Sequence, residues 1–317
     1  MSDTDIKVSV IYLTYKGINL VKETIPLLIQ SLSNIPFKTE LIVVDNASND
    51  GTKELILSYP NIIYLELEKN FGFSKGCNQG ALKSRGEYLF FINNDIKVEG
   101  DFLSPLIKCT THSPNVFAVG PKFLKWDRKT LDDAIRNPVF ERGLIDTKLQ
   151  HINLEKEQKM VFFLGGGFLV RKQLFFDFGL FDEIYTPFSW EDLDLGYRAV
   201  KRGFVNLYCP DVILYHKREA TTKTQFKDNY FKSVVWKNKF IFMWSNFTDK
   251  DILRNHFIQL PWKLCKFLFN GRWPYVIGFF KALLSIKQIW FKRKKEIANF
   301  KLKDNHILSG SWKKLNP

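Results

Sequence analysis

Acidic side chains occur at three places in this sequence where an acid could do chemistry. Asp45 ends the apolar run "ELIVVD", and Asp95 ends the run "FFINND". The adjacent pair Glu191 and Asp192 opens the helical pattern "WEDLDLGYRAVKRG". Carboxylates bind hard divalent cations and act as general bases, so these positions predict metal binding or proton transfer.

Each of these residues also has a structural interpretation, and the sequence leaves both open. Asp45 could begin an Asx turn, and Asp95 could cap the next element. Glu191 and Asp192 could complement the dipole of their own helix, because acids are common in a first turn. A histidine that ends an apolar run, as His216 ends "DVILYH", is either a structural residue or a ligand.

Strands and helices that alternate along the chain must position these residues. Period-2 and apolar runs predict strands, and helical spacing predicts helices, in the order 7–15, 18–33, 40–45, 61–67, 72–84 and 87–93. This rhythm predicts βαβ units and a mainly parallel sheet. Ligands bind beyond the carboxyl ends of parallel strands, so Asp45 and Asp95 are expected at one polar edge.

The middle of the chain has a weaker pattern. Residues 125–160 are polar and irregular, so an insertion or a mobile loop is expected there. The helix that starts near Glu191 is expected to end at Gly203, and residues 204–216 predict two short extended pieces. Glycines 165–167 could let a ligand approach the backbone closely or form a tight strand bend.

Common nucleotide-binding motifs are missing from the sequence. Neither GxGxxG after the first strand nor GxxxxGK[ST] occurs, which disfavours a dinucleotide or P-loop ATP site. A nucleoside diphosphate would then need its phosphates neutralised by other means. A divalent cation on oxygen ligands does this, and Asp95 is a suitable hard ligand.

Seven segments in one order resemble the family 2 glycosyltransferases, especially the bacterial rhamnosyltransferase-like branch of polysaccharide synthesis. They are "VSVIYLTYKG", "LIVVDNASNDGT", "EKNFGFSKGCNQG", "YLFFINND", "FLGGGFLVRK", "FDEIYTPFSWEDLDLGYRAVKRGF" and "PDVILYH". The set covers about residues 6–218. The resemblance implies an α/β protein of GT-A fold over 1–220, with a Rossmann-like, mixed, mainly parallel sheet and flanking helices. It also implies a nucleotide-sugar donor and inversion at the anomeric carbon.

The resemblance assigns roles to individual positions. Asp192 matches the catalytic base, and Glu191 matches its acceptor-side neighbour. Asp95 matches the last acid of a DxD-type metal motif, and His216 matches a histidine that completes a Mn²⁺ or Mg²⁺ site. The first acid of that motif is replaced by an amide here, so weaker or partial metal dependence is expected. The residues expected to bind substrate are Thr14, Tyr15, Asp45, Lys75, Asn93, Asn94 and Trp190.

The implied reaction needs one base that takes the proton of an acceptor hydroxyl, and the sequence singles out no nucleophile for a retaining path. The expected function is inverting hexosyl or deoxyhexosyl transfer from a UDP- or dTDP-sugar to a glycan or polyprenyl-linked acceptor, in O-antigen or capsule synthesis. A sugar nucleotidyltransferase is an alternative, although "TYKGINL" is a poor version of the glycine-rich loop it would need. A non-catalytic nucleotide-sugar binding module is the other.

Positive charge is concentrated in the last third of the chain. Of 317 residues with net charge +14, the part up to His216 has 25 Lys/Arg against 27 Asp/Glu, and the part from Lys217 has 22 against 6. Twenty aromatic residues follow from Phe226 onward. Across 274–292 one stripe is less apolar than the rest, which predicts a single amphipathic helix. The stripe comprises Gly278, Lys281, Ser285, Gln288 and Lys292.

We therefore expect 221–317 to be a basic, aromatic-rich helical extension that contacts an anionic membrane surface. The alternative is a helical cap on the GT-A core; nucleic-acid binding is disfavoured because the N-terminal part supplies no such fold. The N-terminus predicts no secretory signal, and no run of about 18 uncharged apolar residues predicts a membrane span. Four cysteines without a CxxC pair fit a reducing compartment, so a cytoplasmic protein, peripheral on the inner face of the cell membrane, is expected.

Overall fold

The computed structural model describes residues 6–151, 153–217 and 227–314. Its main element is a mixed sheet in the order β10-β12-β6-β11-β4-β1-β2-β3, with β5 beside β12 and β7 beside β6. A separate hairpin joins β8 and β9. The strands are β1 (Val8–Thr14), β2 (Thr39–Asp45), β3 (Ile62–Glu66), β4 (Tyr88–Asn93), β5 (Ile96–Lys97), β6 (Val116–Lys125), β7 (Leu131–Asp133), β8 (Arg136–Glu141), β9 (Leu144–Leu149), β10 (Gln158–Met160), β11 (Gly167–Arg171) and β12 (Val205–His216).

Helices cover both faces of the sheet and form the C-terminal layer. They are α1 (Ile18–Ser33), α2 (Thr52–Leu57), α3 (Gly72–Lys83), α4 (Leu103–Thr110), α5 (Lys172–Asp177), α6 (Glu191–Lys201), α7 (Asp228–Asn246), α8 (Lys250–Phe269), α9 (Trp273–Leu284), α10 (Ile286–Ile297) and α11 (Asp304–Leu308). The expected end of α6 is confirmed within two residues, since Gly203 follows with φ +87°.

Alternation along β1 explains the two layers. Val10 and Tyr12 point into a cluster with α1 and α4, whereas Ile11 and Leu13 point into a cluster with α3, α5 and α6. Strands β3, β2, β1 and β4 are parallel, and Thr14 is paired with Asp45 while Leu13 is paired with Asn93. The carboxyl ends of these strands therefore lie at one edge, as the α/β pattern predicts.

The expectation of irregular structure over 125–160 is wrong. Strands β8 and β9 form a six-pair antiparallel hairpin there. Arg142 and Gly143 turn it with φ of +49° and +76°, the left-handed pair that suits a two-residue hairpin turn. Ile145 is fully buried and anchors the hairpin to a third hydrophobic cluster, which contains residues of α6 and of the C-terminal helices. The pattern was weak because the other hairpin residues are mostly half-buried.

Two further expectations are corrected by pairing and packing. Residues 205–216 form one strand along β6, with an irregularity between Cys209 and Ile213, because Pro210 interrupts the ladder without ending it. The single helix expected over 274–292 is broken at Ser285. Both parts pack on α7, and the second part is also tied to α6 by the ion pair of Lys292 with Asp194.

The C-terminal helices share a hydrophobic cluster with α6. Tyr197 of α6 lies with Phe240 and Phe242 of α7 and with Trp312 in this cluster. The expected boundary at 220/221 lies outside the described residues. None of the described helices is both long enough and apolar enough to cross a bilayer.

Candidate active site

The strand ends at the polar edge are joined by side-chain hydrogen bonds. Asn94 donates from Nδ2 to Thr14 Oγ1 at 3.0 Å, which links the ends of β4 and β1. Asp45, at the end of β2, accepts from the Ser48 amide at 2.9 Å and from the Tyr64 hydroxyl at 2.7 Å. The edge is thus a fixed polar platform that includes three residues expected to bind substrate.

Two other expected substrate-binding residues lie beside this platform. Tyr15 directly follows β1 and is half-buried. Lys75 lies on the first turns of α3, with its ammonium group 4.2 Å from the centre of the Phe71 ring. Asn46, next to Asp45, holds the start of α3 by donating to the Gly72 carbonyl at 3.0 Å. The cation of Lys75 is therefore positioned near the loop that follows β2.

Asp95 and His216, the expected metal ligands, are neighbours in the structure. His216 Nε2 lies 3.4 Å from Asp95 Oδ2, and His216 Nδ1 lies 2.7 Å from Asp132 Oδ2. Burial lowers the pKa of His216, but the hydrogen bonds and charges of Asp132 and Asp95 outweigh it and raise that pKa to about 9. The other carboxylate oxygen of Asp95, Oδ1, is buried without a hydrogen-bond partner among the described residues.

These atoms fit a divalent cation as part of its ligand set. A buried, unpaired carboxylate oxygen is a hard donor that suits Mn²⁺ or Mg²⁺, and the imidazole nitrogen beside it can complete the donor set once it has lost its proton. Within the described ranges, no group of three or more His, Cys, Asp or Glu is arranged to hold a metal. Asp132 orients the imidazole from behind, as carboxylates do for metal-binding histidines. The chain would therefore supply two ligands, Asp95 and His216, and the substrate would supply others.

Asp192 is held at the N-terminus of α6 by backbone amides. Its Oδ2 accepts from the Gly165 amide at 2.8 Å, and its Oδ1 accepts from the Leu193 amide at 2.8 Å. Burial raises the pKa of Asp192 above its ordinary range in spite of these bonds. A fixed carboxylate with a raised pKa is a stronger base than an ordinary aspartate, which suits proton abstraction.

The neighbouring Glu191 is more deeply buried than Asp192. It is 5% exposed, and its Oε2 has no hydrogen-bond partner among the described residues. Burial and the charge of Asp192 raise the pKa of Glu191 well above its usual range. In this coupled pair we assign the retained proton to Glu191 and the negative charge to Asp192.

Two glycines bring Asp192 close to the end of β4. Gly165 binds the Asp192 carboxylate, and the Gly166 carbonyl accepts from the Asn93 amide at 3.1 Å. A Cβ at Gly165 would lie 3.0 Å from Asp192 Cβ, and one at Gly166 would lie 2.9 Å from Asn93 Nδ2. Their lack of a side chain permits this approach, and Asp192 thereby lies at the same edge as Asn93 and Asp95.

A cleft of about 470 Å³ opens at this point. Asn93, Gly165, Glu191 and Asp192 line it, together with residues of the hairpin and of α7. The hairpin contributes Arg136, Asp146 and Thr147, and α7 contributes Phe231, Val235 and Lys239. The cleft therefore has a wall from the C-terminal helices.

Trp190, expected to bind substrate, contributes to the cleft wall but is only 4% exposed. Its ring packs against Phe242 of α7, with ring centres 5.0 Å apart. Asn238 of α7 fixes the preceding loop by donating from Nδ2 to the carbonyls of Tyr185, Phe188 and Ser189 at 2.7 to 2.8 Å. Sequence reasoning missed Asn238, because its position in a helix gives no sign of a loop that precedes it by 50 residues.

The family model described as Glycosyl transferase family 2 matches residues 9–179, which is more than half of the chain. The chain belongs to glycosyltransferase family 2. N-acetylglucosaminyl-diphospho-decaprenol L-rhamnosyltransferase of Mycobacterium tuberculosis is 27% identical over 228 residues, covering 62% of this chain and 74% of that protein. Poly-beta-1,6-N-acetyl-D-glucosamine synthase of Staphylococcus aureus is 24% identical over 264 residues, covering 80% of this chain and 56% of that protein.

Solved structures similar to this family 2 glycosyltransferase show the GT-A fold. A mannosyltransferase from Pyrobaculum calidifontis, in complex with GDP-Man and Mn²⁺, has a TM-score of 0.55 and 15% identity, covering 98% of this chain and 85% of that one. Residues 1–349 of S. aureus TarS in complex with UDP-GlcNAc have a TM-score of 0.55 and 16% identity, covering 96% and 91%. GalNAc-T7 with UDP, GalNAc and Mn²⁺ has a TM-score of 0.61 and 16% identity, covering 78% of this chain but 49% of that one.

A buried ionic network secures α6 in this family 2 glycosyltransferase. Asp194 Oδ1 lies 2.8 Å from Lys292 Nζ of α10 and accepts from Tyr185 and Asn246, while its Oδ2 accepts from Arg198 at 2.7 Å. Burial raises the pKa of Asp194, but Lys292 and Arg198 outweigh burial and hold that pKa well below its usual range. The pattern "WEDLD" does not reveal that its third acid, Asp194, is structural; the network assigns Asp194 to anchoring α6 and, with α6, Asp192.

Proposed function

We propose that this glycosyltransferase moves a hexosyl or deoxyhexosyl unit from a UDP- or dTDP-sugar to a hydroxyl of a glycan or lipid-linked acceptor, with inversion. We place this reaction in the synthesis of a cell-surface polysaccharide such as O antigen or capsule. The names of the mycobacterial and staphylococcal relatives support the acceptor classes. The observation that carries the proposal is the Asp192 carboxylate, fixed by two amides at a cleft beside the carboxyl ends of β1, β2 and β4.

The donor is proposed to lie along the strand ends. Asp45 and Thr14 are suited to the base and ribose, because they are fixed polar groups at the edge. Lys75 and Tyr15 border the same region and offer a cation and an aromatic surface. Asn93 lies between this edge and the cleft, so it is proposed to contact the transferred sugar.

Asp192 is proposed to take the proton of the acceptor hydroxyl as the oxygen attacks the anomeric carbon. The new bond forms between the acceptor oxygen and C1, and the bond from C1 to the diphosphate oxygen breaks. The electron pair leaves with the nucleoside diphosphate, and the proton stays on Asp192 until solvent removes it. Attack on the face opposite the leaving group inverts C1, and no enzyme nucleophile takes part.

Asp95 and His216 are proposed to hold a divalent cation beside the donor diphosphate. Such a cation, when bound, neutralises charge on the leaving phosphates. Asp132 keeps His216 Nδ1 engaged, so that Nε2 faces Asp95. The chain itself thus contributes one carboxylate oxygen and one imidazole nitrogen.

An Asp95→Asn variant is expected to bind Mn²⁺ roughly 100-fold more weakly in the presence of UDP, because the amide lacks the charge of the carboxylate. Electron paramagnetic resonance of free Mn²⁺ measures this without a turnover assay. Asp177→Asn is the matched control, since Asp177 is exposed on α5 and contacts Gln173. Equal Mn²⁺ affinity in Asp95→Asn and wild type would contradict the assignment.

The loop after β1 argues against a sugar nucleotidyltransferase. Such an enzyme needs free backbone amides there to bind phosphates. Here the amide of Lys16 donates to Ser48 Oγ at 2.9 Å, and the amide of Ile18 donates to Asp50 Oδ2 at 3.0 Å. Two of the amides that follow β1 are therefore engaged by side chains of the β2–α2 connection.

We propose that the protein lies on the inner face of the cell membrane through α8, α9 and α10. Among the described residues, 14 of the 18 exposed large hydrophobic side chains lie between Phe257 and Ile297. These 14 form what we call the outer surface: Phe257, Ile258, Trp262, Leu268, Phe269, Trp273, Ile277, Phe280, Leu283, Leu284, Ile286, Trp290, Phe291 and Ile297. Residues 252–295 contain ten Lys/Arg and no Asp/Glu, so the surface matches anionic headgroups as well as acyl chains.

The orientation of α9 supports this membrane contact. Gly278 packs on α7, where a Cβ would come within 2.5 Å of Trp236 Cβ, and Lys281 donates to Ser233. The less apolar stripe therefore faces the protein at these positions, and Phe280 and Leu284 point outward with 59% and 87% exposure. A helix with its apolar side outward needs another apolar phase or partner to cover it.

Full-length protein is expected to float with vesicles of phosphatidylglycerol and phosphatidylcholine. A Trp273→Ser, Phe280→Ser, Trp290→Ser variant should partition roughly 100-fold less, if each ring contributes about 1 kcal/mol. The control is Leu57→Ser with Leu82→Ser, which are 60% and 56% exposed outside the outer surface. Wild-type protein that stays at the bottom of the gradient would exclude this membrane contact.

A further inference from the structure

A second cavity lies between three helices of the C-terminal layer, next to the outer surface. It measures about 360 Å³ and is formed by α7, the end of α8, the turn at Gly271 and the start of α9. Its lining comprises Asn229, Lys232, Trp236, Phe267, Gly271, Arg272, Pro274 and Tyr275. None of these residues is acidic, and they divide into aromatic walls and cationic or polar groups.

The most informative polar group in this cavity is the Tyr275 hydroxyl. Tyr275 is 1% exposed, and its hydroxyl has no hydrogen-bond partner among the described residues. Its ring is fixed by Phe267 and Trp236, with ring centres 4.3 and 4.6 Å away. Buried hydroxyls almost always have a partner, so this hydroxyl is available to a ligand that offers an acceptor atom.

The charged groups of the cavity favour an anion. Arg272 is exposed and lies over the Phe267 ring at 5.3 Å, so its guanidinium group is accessible at the mouth. Lys232 is also exposed and pairs with Asp228 one turn earlier on α7. A guanidinium, an ammonium and a phenol together suit a phosphate group, which accepts several hydrogen bonds.

The surroundings of the cavity favour an anion that carries a long apolar chain. Leu268, Phe269 and Trp273 flank its mouth in the sequence and are 41%, 85% and 55% exposed. These side chains belong to the outer surface, which a free nucleotide or inorganic phosphate would leave uncovered. A lipid phosphate would satisfy the polar end in the cavity and cover the apolar side chains with its tail.

The cavity also lies close to the cleft that contains Asp192. Helix α7 presents Phe231, Val235 and Lys239 to the cleft, and presents Lys232 and Trp236 to this cavity. The two spaces are thus separated by a single helix, which is on the order of 10 Å across. A lipid phosphate in the cavity would hold a sugar attached to it within reach of the cleft.

We propose that this cavity binds the phosphate end of a long-chain lipid phosphate and so holds the lipid-linked acceptor beside the cleft. The identity of the lipid as acceptor rests on the proposed function, whereas its binding does not. Binding is measured without a donor, so failure of lipid binding and failure of Asp192 as a base are separate results.

The test is a titration of the full chain with farnesyl phosphate, followed by calorimetry, beside titrations with farnesol and inorganic phosphate. Farnesyl phosphate should bind at least tenfold more tightly than either probe, because only it engages both the cavity and the outer surface. Arg272→Gln and Tyr275→Phe should each weaken its binding by about tenfold, as expected for a hydrogen bond to a charged group. The control Arg142→Gln, at an exposed arginine of the hairpin turn, should bind like wild type.

Three outcomes would overturn the proposal. Farnesol that binds as tightly as farnesyl phosphate would show a merely apolar surface. Inorganic phosphate that binds as tightly would show adventitious anion binding only. Unchanged farnesyl phosphate affinity in a folded variant carrying both Arg272→Gln and Tyr275→Phe would place the lipid elsewhere; Tyr275→Phe keeps the buried ring, and circular dichroism confirms folding.

Discussion

An Asp192→Asn variant is expected to lose about 100-fold to 10,000-fold in kcat, the usual contribution of a general base. The amide keeps the shape of the side chain and can still accept a hydrogen bond from Gly165 or Leu193, but it cannot take a proton. Donor affinity should stay within about threefold of wild type, because Asp192 is assigned to the acceptor side. Initial transfer rates at saturating substrates, with donor affinity from calorimetry, measure both quantities.

The adjacent Glu191 provides the matched control. Its carboxyl group is buried, and burial and the charge of Asp192 raise its pKa well above the usual range, which favours the neutral form. Glu191→Gln puts a neutral amide of the same shape in its place, so a loss of less than about tenfold is expected. Full transfer activity in Asp192→Asn, or an equal loss in both variants, would contradict the assignment of the base to Asp192.

The pH dependence of the wild-type rate follows from the same assignment. Asp192 works as a base only when ionised, and burial raises its pKa. As pH falls through this raised pKa the rate should fall, and the inflection should lie above the pKa of about 3.9 of an ordinary aspartate. A profile of kcat against pH measures the inflection. A rate that shows no inflection on the acidic side would contradict the assignment of Asp192 as the base.

Asp304→Asn is expected to lower the free energy of unfolding by about 3–5 kcal/mol, because it leaves a buried cation without its counter-charge. Asp304 and Lys201 are each fully buried, and their charged atoms lie 2.7 Å apart. The same carboxylate accepts from the Tyr197 hydroxyl and from the amides of Thr248 and Asp249. One side chain thus joins α6, the α7–α8 turn and α11.

Urea unfolding followed by fluorescence and circular dichroism measures this loss. Asp228→Asn is the matched control, since Asp228 is exposed and pairs with Lys232 within one helix, and a loss below about 1 kcal/mol is expected there. If Asp304→Asn is no more destabilising than this control, the C-terminal helices are not locked to α6. If it behaves as expected, the helix that carries Asp192 depends on the C-terminal layer for its stability.

The polar edge of the sheet could be predicted because it depends on local patterns. Apolar runs fix β2 and β4, and a parallel sheet then brings Asp45 and Asp95 to the same edge without further information. Asp132 could not be found in this way. Asp132 lies 84 residues before His216 in the sequence and reaches it because β7 pairs with β6. The segment around Asp132 also lacks a clear hydrophobic period.

Which side of helix α9 faces the protein could not be predicted from the sequence either. The stripe that includes Gly278 and Lys281 was visible as a polar side, which in most globular proteins faces water. Here Gly278 permits close packing of α9 on α7, so this side faces inward and the apolar side is exposed. The aromatic residues accordingly divide into two groups, with Phe240 and Phe242 in the core and Trp273 and Trp290 outside.

A crystal structure with Mn²⁺ and the UDP- or dTDP-sugar that raises the melting temperature most is the most direct test of the site. We expect the diphosphate beside Asp95 and His216. The anomeric carbon should face the cleft, with the face opposite the leaving group toward Asp192. A donor bound away from this edge, or an anomeric carbon that turns its leaving-group side toward Asp192, would contradict the assignment of Asp192 as the base of an inverting transfer.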